Sequence, residues 1–332
     1  MKFPVIDFHA HLMTLAGMEK ICPADQQSPF FRKVVPVLEP LAHITEPVHD
    51  RLLRQMAMHY NCDTSRSIYA RFGKLFLMEA LRLFKRHGLE RLVESMDELG
   101  IQHTVIHSLE PLTHTNEIIE LASRYPDRFS VFGSVSHHDV DPLAYLAPMI
   151  EAKTIKGIKI HPMVGGFDGE TLLEQCKELF AIAEKFELPI AVHTGHIPIE
   201  ALTGLAHCIR IPALEPLVKS FPNCQFVFTH CGWESWRSAV GMAEKYPNLM
   251  LEMSWQPARI IRRVVDKVGA HRVIFGSDFP LFQQDLALHQ VQDALSRTEY
   301  EMVACGNSLR LLKMEARDLF KHSRSGASLI SV

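Results

Sequence analysis

Two histidines near the start of the chain have the spacing of a metal-binding pair. His9 and His11 lie two residues apart in the segment Ile-Asp-Phe-His-Ala-His. Side chains alternate along a β-strand, so both imidazoles would face the same side if this segment is a strand. Two neutral imidazoles on one side could hold a divalent ion such as zinc. In a chain with 19 histidines the pair could also be a chance occurrence, or two buried histidines that form only hydrogen bonds.

Three further residues whose side chains can bind a metal ion lie at or near the ends of short apolar segments. They are His193, His230 and Asp278. If these segments are parallel strands of one barrel, their carboxyl ends meet on the same face, and all five side chains converge there. Imidazole nitrogens and a carboxylate together suit zinc or a similar divalent ion. The five positions together therefore predict a metal site. The spacing of His9 and His11 alone would not be sufficient for this prediction.

Eight short apolar segments are predicted to be β-strands, and these strands would place the five side chains. After the second of them they recur at intervals of about one βα unit, with apolar, β-branched and aromatic residues typical of buried parallel strands. The segments are Val5–His9, Thr104–Ser108, Phe129–Val135, Ile155–His161, Pro189–Thr194, Gln225–His230, Asn248–Ser254 and Arg272–Asp278.

Helical patterns alternate with the predicted strands. Glu117–Tyr125 and Thr171–Phe186 carry apolar residues at helical spacing. Eight alternating strands and helices predict an α/β fold of the (β/α)₈ TIM-barrel type. An open, doubly wound sheet would normally have fewer strands, and no G-x-G-x-x-G follows the first strand.

One long interval separates the first predicted strand from the second. Arg51–Tyr60 and Lys74–Leu99 are amphipathic and rich in Leu, Met, Arg and Glu. We therefore expect a single domain, residues 1–332, with a helical cap inserted after strand 1 at about residues 20–95. The cap would begin on the face where barrel active sites lie. It contains four arginines that could bind an acidic substrate, although each alone is typical of a solvated helix face: Arg51, Arg54, Arg66 and Arg71.

The composition is that of a globular enzyme without a charged binding surface. The 332 residues are 47% hydrophobic, and 35 Lys and Arg face 38 Asp and Glu without a block of like charge. We expect a small-molecule substrate, no nucleic-acid partner and no membrane partner. The N-terminus lacks a signal-peptide pattern, and the seven cysteines include no C-x-x-C, which favours free thiols and a cytoplasmic location.

Several motifs together resemble the amidohydrolase superfamily. They are the H-x-H of strand 1, Val-His-Thr-Gly around His193, Thr-His-Cys-Gly around His230 and Gly-Ser-Asp-Phe-Pro around Asp278. Gly306–Leu312 (GNSLRLL) is similar to a C-terminal segment of the amidohydrolase-related group. That group includes aminocarboxymuconate semialdehyde decarboxylase and several lactone hydrolases. The resemblance covers strand 1 and about residues 100–315, and none of its motifs specifies a substrate.

The resemblance implies one divalent ion, with zinc as the expected metal. His9, His11, His193 and Asp278 would hold it, and Asp278 would also take a proton from water. His230 would stand beside the ion as a proton carrier or electrostatic stabiliser. Family members are often dimers, so a homodimer is the expected assembly.

Four residues are candidates for binding the substrate. Lys159 could bind a substrate carboxylate as an ammonium, could be a carbamylated bridge between two metals as in binuclear amidohydrolases, or could be structural. His161, at the tip of strand 4, could touch substrate or only pack. His196 could line the pocket after strand 5. Trp233 could form an apolar wall, together with Trp236, or both could be helix-packing aromatics.

Other residues near strand ends receive no catalytic assignment. Alternation predicts that Asp7 faces inward, one layer below the histidines, as a structural carboxylate. Trp255 follows strand 7 and could pack like Trp233. Three histidines near the ends of strands 2 and 3 stay unassigned: His107, His137 and His138.

The predicted site fits two reactions. Hydrolysis of a carbonyl substrate such as a lactone or amide demands least beyond a metal, a water and Asp278, so it is preferred. Non-oxidative decarboxylation of a carboxylated cyclic or unsaturated acid is the alternative. A barrel nuclease with H-x-H would carry a glutamate ligand in mid-barrel, where this chain has Gly-Ile-Lys-Ile-His-Pro. A non-catalytic binding barrel would not need a complete ligand set.

Overall fold

A computed structural model describes residues 3–12, 88–139, 141–195 and 210–320. Eight parallel strands form one sheet in the order of the sequence, and helices lie between them, so the predicted TIM barrel is confirmed. Each strand overlaps one of the eight predicted segments. The strands are β1 Ile6–Ala10, β2 His103–His107, β3 Phe129–Ser134, β4 Gly157–Ile160, β5 Ile190–His193, β6 Phe226–Thr229, β7 Leu249–Glu252 and β8 Val273–Ile274.

Two helices lie where the apolar spacing predicted them. The predicted segments Glu117–Tyr125 and Thr171–Phe186 correspond to α2 and α5. The α-helices of the described residues are α1 Leu89–Leu99, α2 Thr115–Ser123, α3 Pro142–Glu151, α4 Pro162–Gly165, α5 Gly169–Lys185, α6 Glu215–Ser220, α7 Trp236–Lys245, α8 Ala258–Val268, α9 Gln284–Ala294, α10 Arg297–Glu301 and α11 Asn307–Leu312.

Only the end of the predicted cap falls within the described residues. Helix α1 is the C-terminal part of the predicted helical segment Lys74–Leu99, and Gly100 ends it in the left-handed conformation. Leu89, Leu92 and Met96, three or four residues apart, are its buried face. The rest of the cap, with its four arginines, lies outside the described residues. No α-helix in the described ranges is long and apolar enough to cross a membrane.

The first and last strands close the barrel through the segment that follows β8. The Phe8 N–H donates to the Phe275 carbonyl at 3.1 Å, and the Asp278 N–H donates to the His9 carbonyl at 2.7 Å. The His11 N–H adds a third bond, to the Phe279 carbonyl at 2.7 Å. These bonds satisfy the edge of β1 and hold Asp278 beside the two histidines of that strand.

Alternating residues of the strands fill the interior of the barrel. One apolar cluster contains Ile6, Phe8, Val105, Phe132, Ala191, Val227, Met250 and Ile274, together with Leu311 and Leu312 of α11. Phe8 and Phe132 meet edge to face, with ring centroids 5.3 Å apart. This packed apolar layer supports the polar groups at the carboxyl ends of the strands and limits their movement.

The expected inward position of Asp7 is wrong. The pairing of β1 with β2 is irregular between Asp7 and Ala10. Phe8, not Asp7, joins the inner cluster, while the Asp7 carboxylate accepts hydrogen bonds from Gln284 Nε2 of α9 at 2.7 Å and from Ser277 Oγ at 2.6 Å. Simple alternation fails at such an irregularity because the strand no longer turns each side chain to the opposite face.

Replacing Asp7 by alanine should destabilise the fold. The carboxylate also accepts the N–H groups of His9 and Ser277, so four buried donors would lose their acceptor. We expect a loss of about 2 to 4 kcal/mol in the free energy of unfolding, measured by urea denaturation. Asp7→Asn should cost less, because the Gln284 amide can turn its oxygen toward the new NH₂ group. An alanine variant as stable as the parent would contradict this account.

Candidate metal centre

The two histidines of β1 turn their Nε2 atoms toward one another. Both rings are buried, and the two Nε2 atoms are 3.0 Å apart. His11 Nδ1 lies 2.9 Å from the His107 carbonyl oxygen. A carbonyl only accepts, so His11 carries its proton on Nδ1 and its lone pair on Nε2. The H-x-H spacing therefore produces the facing pair that the sequence predicted.

Asp278 brings a third acceptor to the same point. Its Oδ1 lies 3.5 Å from His9 Nε2 and 3.3 Å from His11 Nε2. Its other oxygen, Oδ2, accepts a hydrogen bond from the indole N–H of Trp255 at 2.7 Å. Because the indole can only donate, it fixes the carboxylate with Oδ1 aimed at the histidines. Two imidazole nitrogens and one carboxylate oxygen at such distances have the composition of a divalent metal site.

Lys159 of β4 contacts one of these three acceptors. Its Nζ is buried, 3.2 Å from His9 Nε2 and 3.4 Å from Thr229 Oγ1. Burial lowers the pKa of Lys159 to about 8, while the carboxylates of Asp278 and Glu252 act in the opposite direction. The side chain thus lies next to His9 as a cation, and which of the three roles considered for Lys159 applies stays a prediction.

His193 ends β5 and contacts two other histidines. Its Nδ1 is 3.1 Å from His230 Nε2, and its ring stacks on the ring of His161 with centroids 3.9 Å apart. His193 is not a member of the group formed by His9, His11 and Asp278, whose ligand atoms all lie within 4.8 Å of one another. His161 also accepts the Val164 N–H at 3.3 Å and so begins helix α4.

His230 follows β6 and does not belong to the strand, contrary to the expected segment Gln225–His230. The strand ends at Thr229, and His230 has a left-handed backbone with φ of 62°. Its Nδ1 lies 2.7 Å from Ser254 Oγ, and its ring centroid is 5.1 Å from that of His9. Burial lowers the pKa of His230, with the neighbouring His193 and Lys159 acting in the same direction, so the imidazole is neutral.

Four residues without glycine's freedom hold left-handed backbones around the site. They are His230, Trp233, Trp255 and Asp278, with φ of 62°, 50°, 63° and 67°, and Cys231, next to His230, is a fifth such residue with φ of 49°. Such a conformation costs about 1 to 3 kcal/mol for a residue other than glycine, and clusters of this kind mark functional sites. Asp278 lies four residues beyond the short strand β8, so its position depends on this backbone and on the bonds that join it to β1.

Aromatic side chains form a wall next to Asp278. Trp233 and Trp255 have ring centroids 4.9 Å apart, and Trp255 and Phe282 are also 4.9 Å apart. Trp255 is partly exposed, whereas Trp233 is buried. Trp236 lies in α7 with Arg237 over its ring at 4.5 Å, and it packs with the outer apolar core. Of the two tryptophans after β6, Trp233 therefore lies at the site and Trp236 among the helices.

Sequence reasoning missed two residues of the site, Glu252 and Ser254. Glu252 ends β7 and lies 3.1 Å from His9 Nδ1, and His9, Glu252 and His230 form a second group with ligand atoms close together. Burial raises the pKa of Glu252 to about 8, while hydrogen bonds from His230 and Ser254 act against this. An acidic residue within the predicted apolar strand Asn248–Ser254 was the signal that could have found it.

Of the remaining histidines, His107 packs against the site, and His137 and His138 do not contact it within the described residues. His107 is buried and stacks between His9 and Phe132, with ring centroids at 4.6 and 4.9 Å. His137 and His138 are exposed, with ring centroids 3.7 Å apart, and His137 Nδ1 lies 2.9 Å from the Gly165 carbonyl. His196 lies outside the described residues.

The family follows from comparison with known proteins. A sequence model described as "Amidohydrolase" matches residues 6–314, almost the whole chain.

The chain belongs to the amidohydrolase family.

This family is metal-dependent, in accord with the group formed by His9, His11 and Asp278. The resemblance read from the strand-end motifs is thereby confirmed, and with it the assignment as an amidohydrolase-type enzyme.

Proteins similar to this amidohydrolase include one sequence relative and solved structures that share its fold. L-fucono-1,5-lactonase of Burkholderia ambifaria is 24% identical over 221 residues, which are 60% of this chain and 72% of that protein. The structure of a dihydroxybenzoic acid decarboxylase from a Polaromonas species, with bound manganese, has a TM-score of 0.62 and 14% identity and covers 96% of this chain and 100% of its own. A probable 2-pyrone-4,6-dicarboxylic acid hydrolase from Acinetobacter baumannii has a TM-score of 0.57, 14% identity and coverage of 93% and 99%.

Proposed function

We propose that this amidohydrolase opens a lactone or a related cyclic ester with a divalent ion held by His9, His11, His193 and Asp278. The observation that carries the proposal is the convergence of His9 Nε2, His11 Nε2 and Asp278 Oδ1 at 3.0 to 3.5 Å. The lactonase relative supports hydrolysis of a carbonyl compound. Nitrogen and carboxylate ligands favour zinc as the ion.

The ion would supply two effects, polarisation of the substrate carbonyl and acidification of a water. Asp278 is placed to accept a proton from that water on Oδ1, since Oδ2 is held by Trp255. Water adds to the carbonyl carbon, the ring C–O bond breaks, and the leaving ring oxygen receives the proton from Asp278. Reactants and products balance without any further reagent.

His230 would take up and return a proton at Nε2. Its ring is neutral because burial lowers its pKa, and its Nδ1 is held by Ser254 at 2.7 Å. A neutral imidazole that is fixed at one nitrogen can take up and return a proton at the other. The aromatic wall of Trp233, Trp255 and Phe282 would pack against the ring of the substrate.

Decarboxylation is the second candidate, and Lys159 is the observation in its favour. A carboxylated substrate needs a cation for its carboxylate, and the Lys159 ammonium faces the site next to His9. In this reaction the bond to the carboxylate carbon breaks, carbon dioxide leaves, and a proton replaces it. The products distinguish the two reactions. Hydrolysis yields a ring-opened hydroxy acid and releases acid, whereas decarboxylation yields carbon dioxide.

Metal content tests the site directly. The purified protein should contain one divalent ion per chain by elemental mass spectrometry. His9→Ala should lose the ion, because His11 Nε2 and Asp278 Oδ1 both lie within 3.5 Å of His9 Nε2. His289→Ala is the matched control, since that histidine is an exposed residue of α9. Acid release on sugar lactones and cyclic esters should follow the ion content. Two ions per chain would point to a bridging Lys159 instead, and no ion even after reconstitution would exclude the proposed chemistry.

A further inference from the structure

Glu252 is a fully buried carboxylate that touches two histidines of the site. Its Oε2 lies 3.1 Å from His9 Nδ1, 3.0 Å from the His230 backbone nitrogen and 2.9 Å from Ser254 Oγ. Its Oε1 accepts the Ser254 N–H. These four contacts engage both oxygens of the side chain. Glu252 is therefore occupied by hydrogen bonds, and we do not count it among the metal ligands despite its nearness to His9.

The arrangement around Glu252 is rigid. A Cβ added at Gly276 would lie 2.6 Å from Glu252 Oε1 and 2.8 Å from His9 Cβ, so only glycine permits this approach of the segment after β8. Lys159 Nζ lies 3.2 Å from His9 Nε2, and an ammonium group only donates, so the lone pair of His9 is on Nε2 and its proton is on Nδ1. Glu252 Oε2 therefore accepts the hydrogen bond from His9 Nδ1.

The first consequence concerns His9. Since Glu252 accepts, His9 Nδ1 must carry the proton, and the lone pair of His9 is on Nε2. That is the atom that faces His11 Nε2 and Asp278 Oδ1. A carboxylate that binds the far nitrogen of a ligand histidine fixes both its tautomer and its ring orientation.

The second consequence passes through Ser254 to two further histidines. The single hydroxyl proton of Ser254 is donated to Glu252, so the contact of Ser254 Oγ with His230 Nδ1 needs the proton on His230. The lone pair of His230 is then on Nε2, 3.1 Å from His193 Nδ1. His193 must donate in that bond, which puts its own lone pair on Nε2, the nitrogen a metal ligand requires.

We propose that Glu252 is a positioning residue that sets the tautomers of His9, His230 and His193 through one hydrogen-bonded relay, the Glu252 relay. The effect of the relay on metal binding rests on the proposed function. The assignment of the tautomers does not depend on that function. The relay presents Nε2 lone pairs of His9 and His193 to the ion and keeps Nε2 of His230 as a proton acceptor. None of these histidines needs to be protonated or deprotonated when the ion binds.

Glu252→Gln tests the relay with almost no change of shape. Each oxygen of Glu252 accepts a backbone N–H, that of Ser254 at Oε1 and that of His230 at Oε2, so the new NH₂ group opposes one of them in either orientation. The amide cannot keep all the bonds of Glu252, and His9 is no longer held in a single tautomer. We expect affinity for Zn²⁺, measured by chelator competition, to fall 10- to 100-fold. In the metal-free protein, ¹⁵N–¹H correlation spectra of the histidine rings should report His9 protonated on Nδ1 in the parent and as a mixture of both tautomers in the variant.

Two matched variants separate the relay from a general loss of packing. Glu110→Gln changes a buried carboxylate that binds Tyr145 and the Thr115 N–H and none of the metal-site histidines, so zinc affinity should stay at the parent value. Ser254→Ala removes the hydroxyl group that contacts His230 Nδ1. The tautomer of His9 should therefore stay unchanged, whereas His230 should populate both tautomers.

Two results would overturn the relay. One is a folded Glu252→Gln protein with parental zinc affinity and parental ring spectra. The other is a parent protein in which the His9 proton resides on Nε2. A parent that binds no zinc but shows Nδ1 protons on His9 and His230 would support the relay and contradict the metal-dependent function, so the two failures are distinguishable.

Discussion

Asp278→Asn should lower kcat/KM on the best lactone substrate by about 10³- to 10⁴-fold while the protein stays folded. Positioned proton transfer contributes a factor of about 10² to 10⁴ in enzymes, and this substitution also weakens a proposed ligand. The Oδ1 atom lies 3.3 Å from His11 Nε2, so an amide there is a poorer acceptor for a proton and a poorer ligand for the ion. Steady-state kinetics and zinc content, measured on the same preparation, separate the two contributions.

The fold should tolerate this change because asparagine accepts the backbone of residue 278. The φ of 67° at Asp278 is left-handed, and asparagine adopts this region more readily than most residues. The Trp255 indole can still donate to the amide oxygen. Asp293→Asn, on the exposed surface of α9, is the matched control and should keep full activity. Activity of Asp278→Asn near the parent level would exclude the proposed role of this carboxylate.

The strands and most of the site could be predicted because both depend on local patterns. A buried parallel strand needs an apolar segment, and polar residues at its carboxyl end stand out against that background. His193, at the end of β5, is the simplest example. His9 and His11 needed one more step, the alternation of side chains, and that step holds for this pair because their Nε2 atoms meet at 3.0 Å.

Contacts that depend on distant residues could not be predicted in this way. The position of Asp7 is set by an irregularity in the pairing of β1 with β2, which the sequence of β1 does not reveal. The left-handed backbones of His230 and Asp278 are imposed by packing against β7 and β1, and nothing in their residue types demands them. Glu252 was overlooked because its partners, His9 of β1 and His230 after β6, come from distant parts of the chain.

The alternation of β7 nevertheless contained a usable signal. Met250 belongs to the inner cluster, and Glu252 lies two residues further on the same side of the strand. An acidic residue that faces the interior of a barrel must be hydrogen-bonded or paired, since an unpaired buried charge is costly. Applied to Lys159 and Glu252 together, this rule predicts a polar layer above the packed apolar layer, and both residues lie within reach of His9.

His230→Asn should keep the ion and lower kcat by about 10²- to 10⁴-fold, because it removes a proton carrier without removing a ligand. Asparagine suits the left-handed backbone of residue 230, where φ is 62°, better than alanine does. Its side chain can still reach Ser254 but cannot take up a proton near neutral pH. Turnover with saturating lactone and zinc content on the same sample are the measurements.

The comparison of His230→Asn with His9→Ala distinguishes a proton carrier from a ligand. His9 meets His11 and Asp278 through Nε2, whereas the Nε2 of His230 lies 3.1 Å from His193 Nδ1 and faces no carboxylate within the described part of the chain. Loss of zinc from both variants would make His230 a ligand and replace the proposed ligand set. Retention of zinc and of full activity in His230→Asn would leave proton transfer to Asp278 alone, with the Glu252 relay serving only to orient His9 and His193.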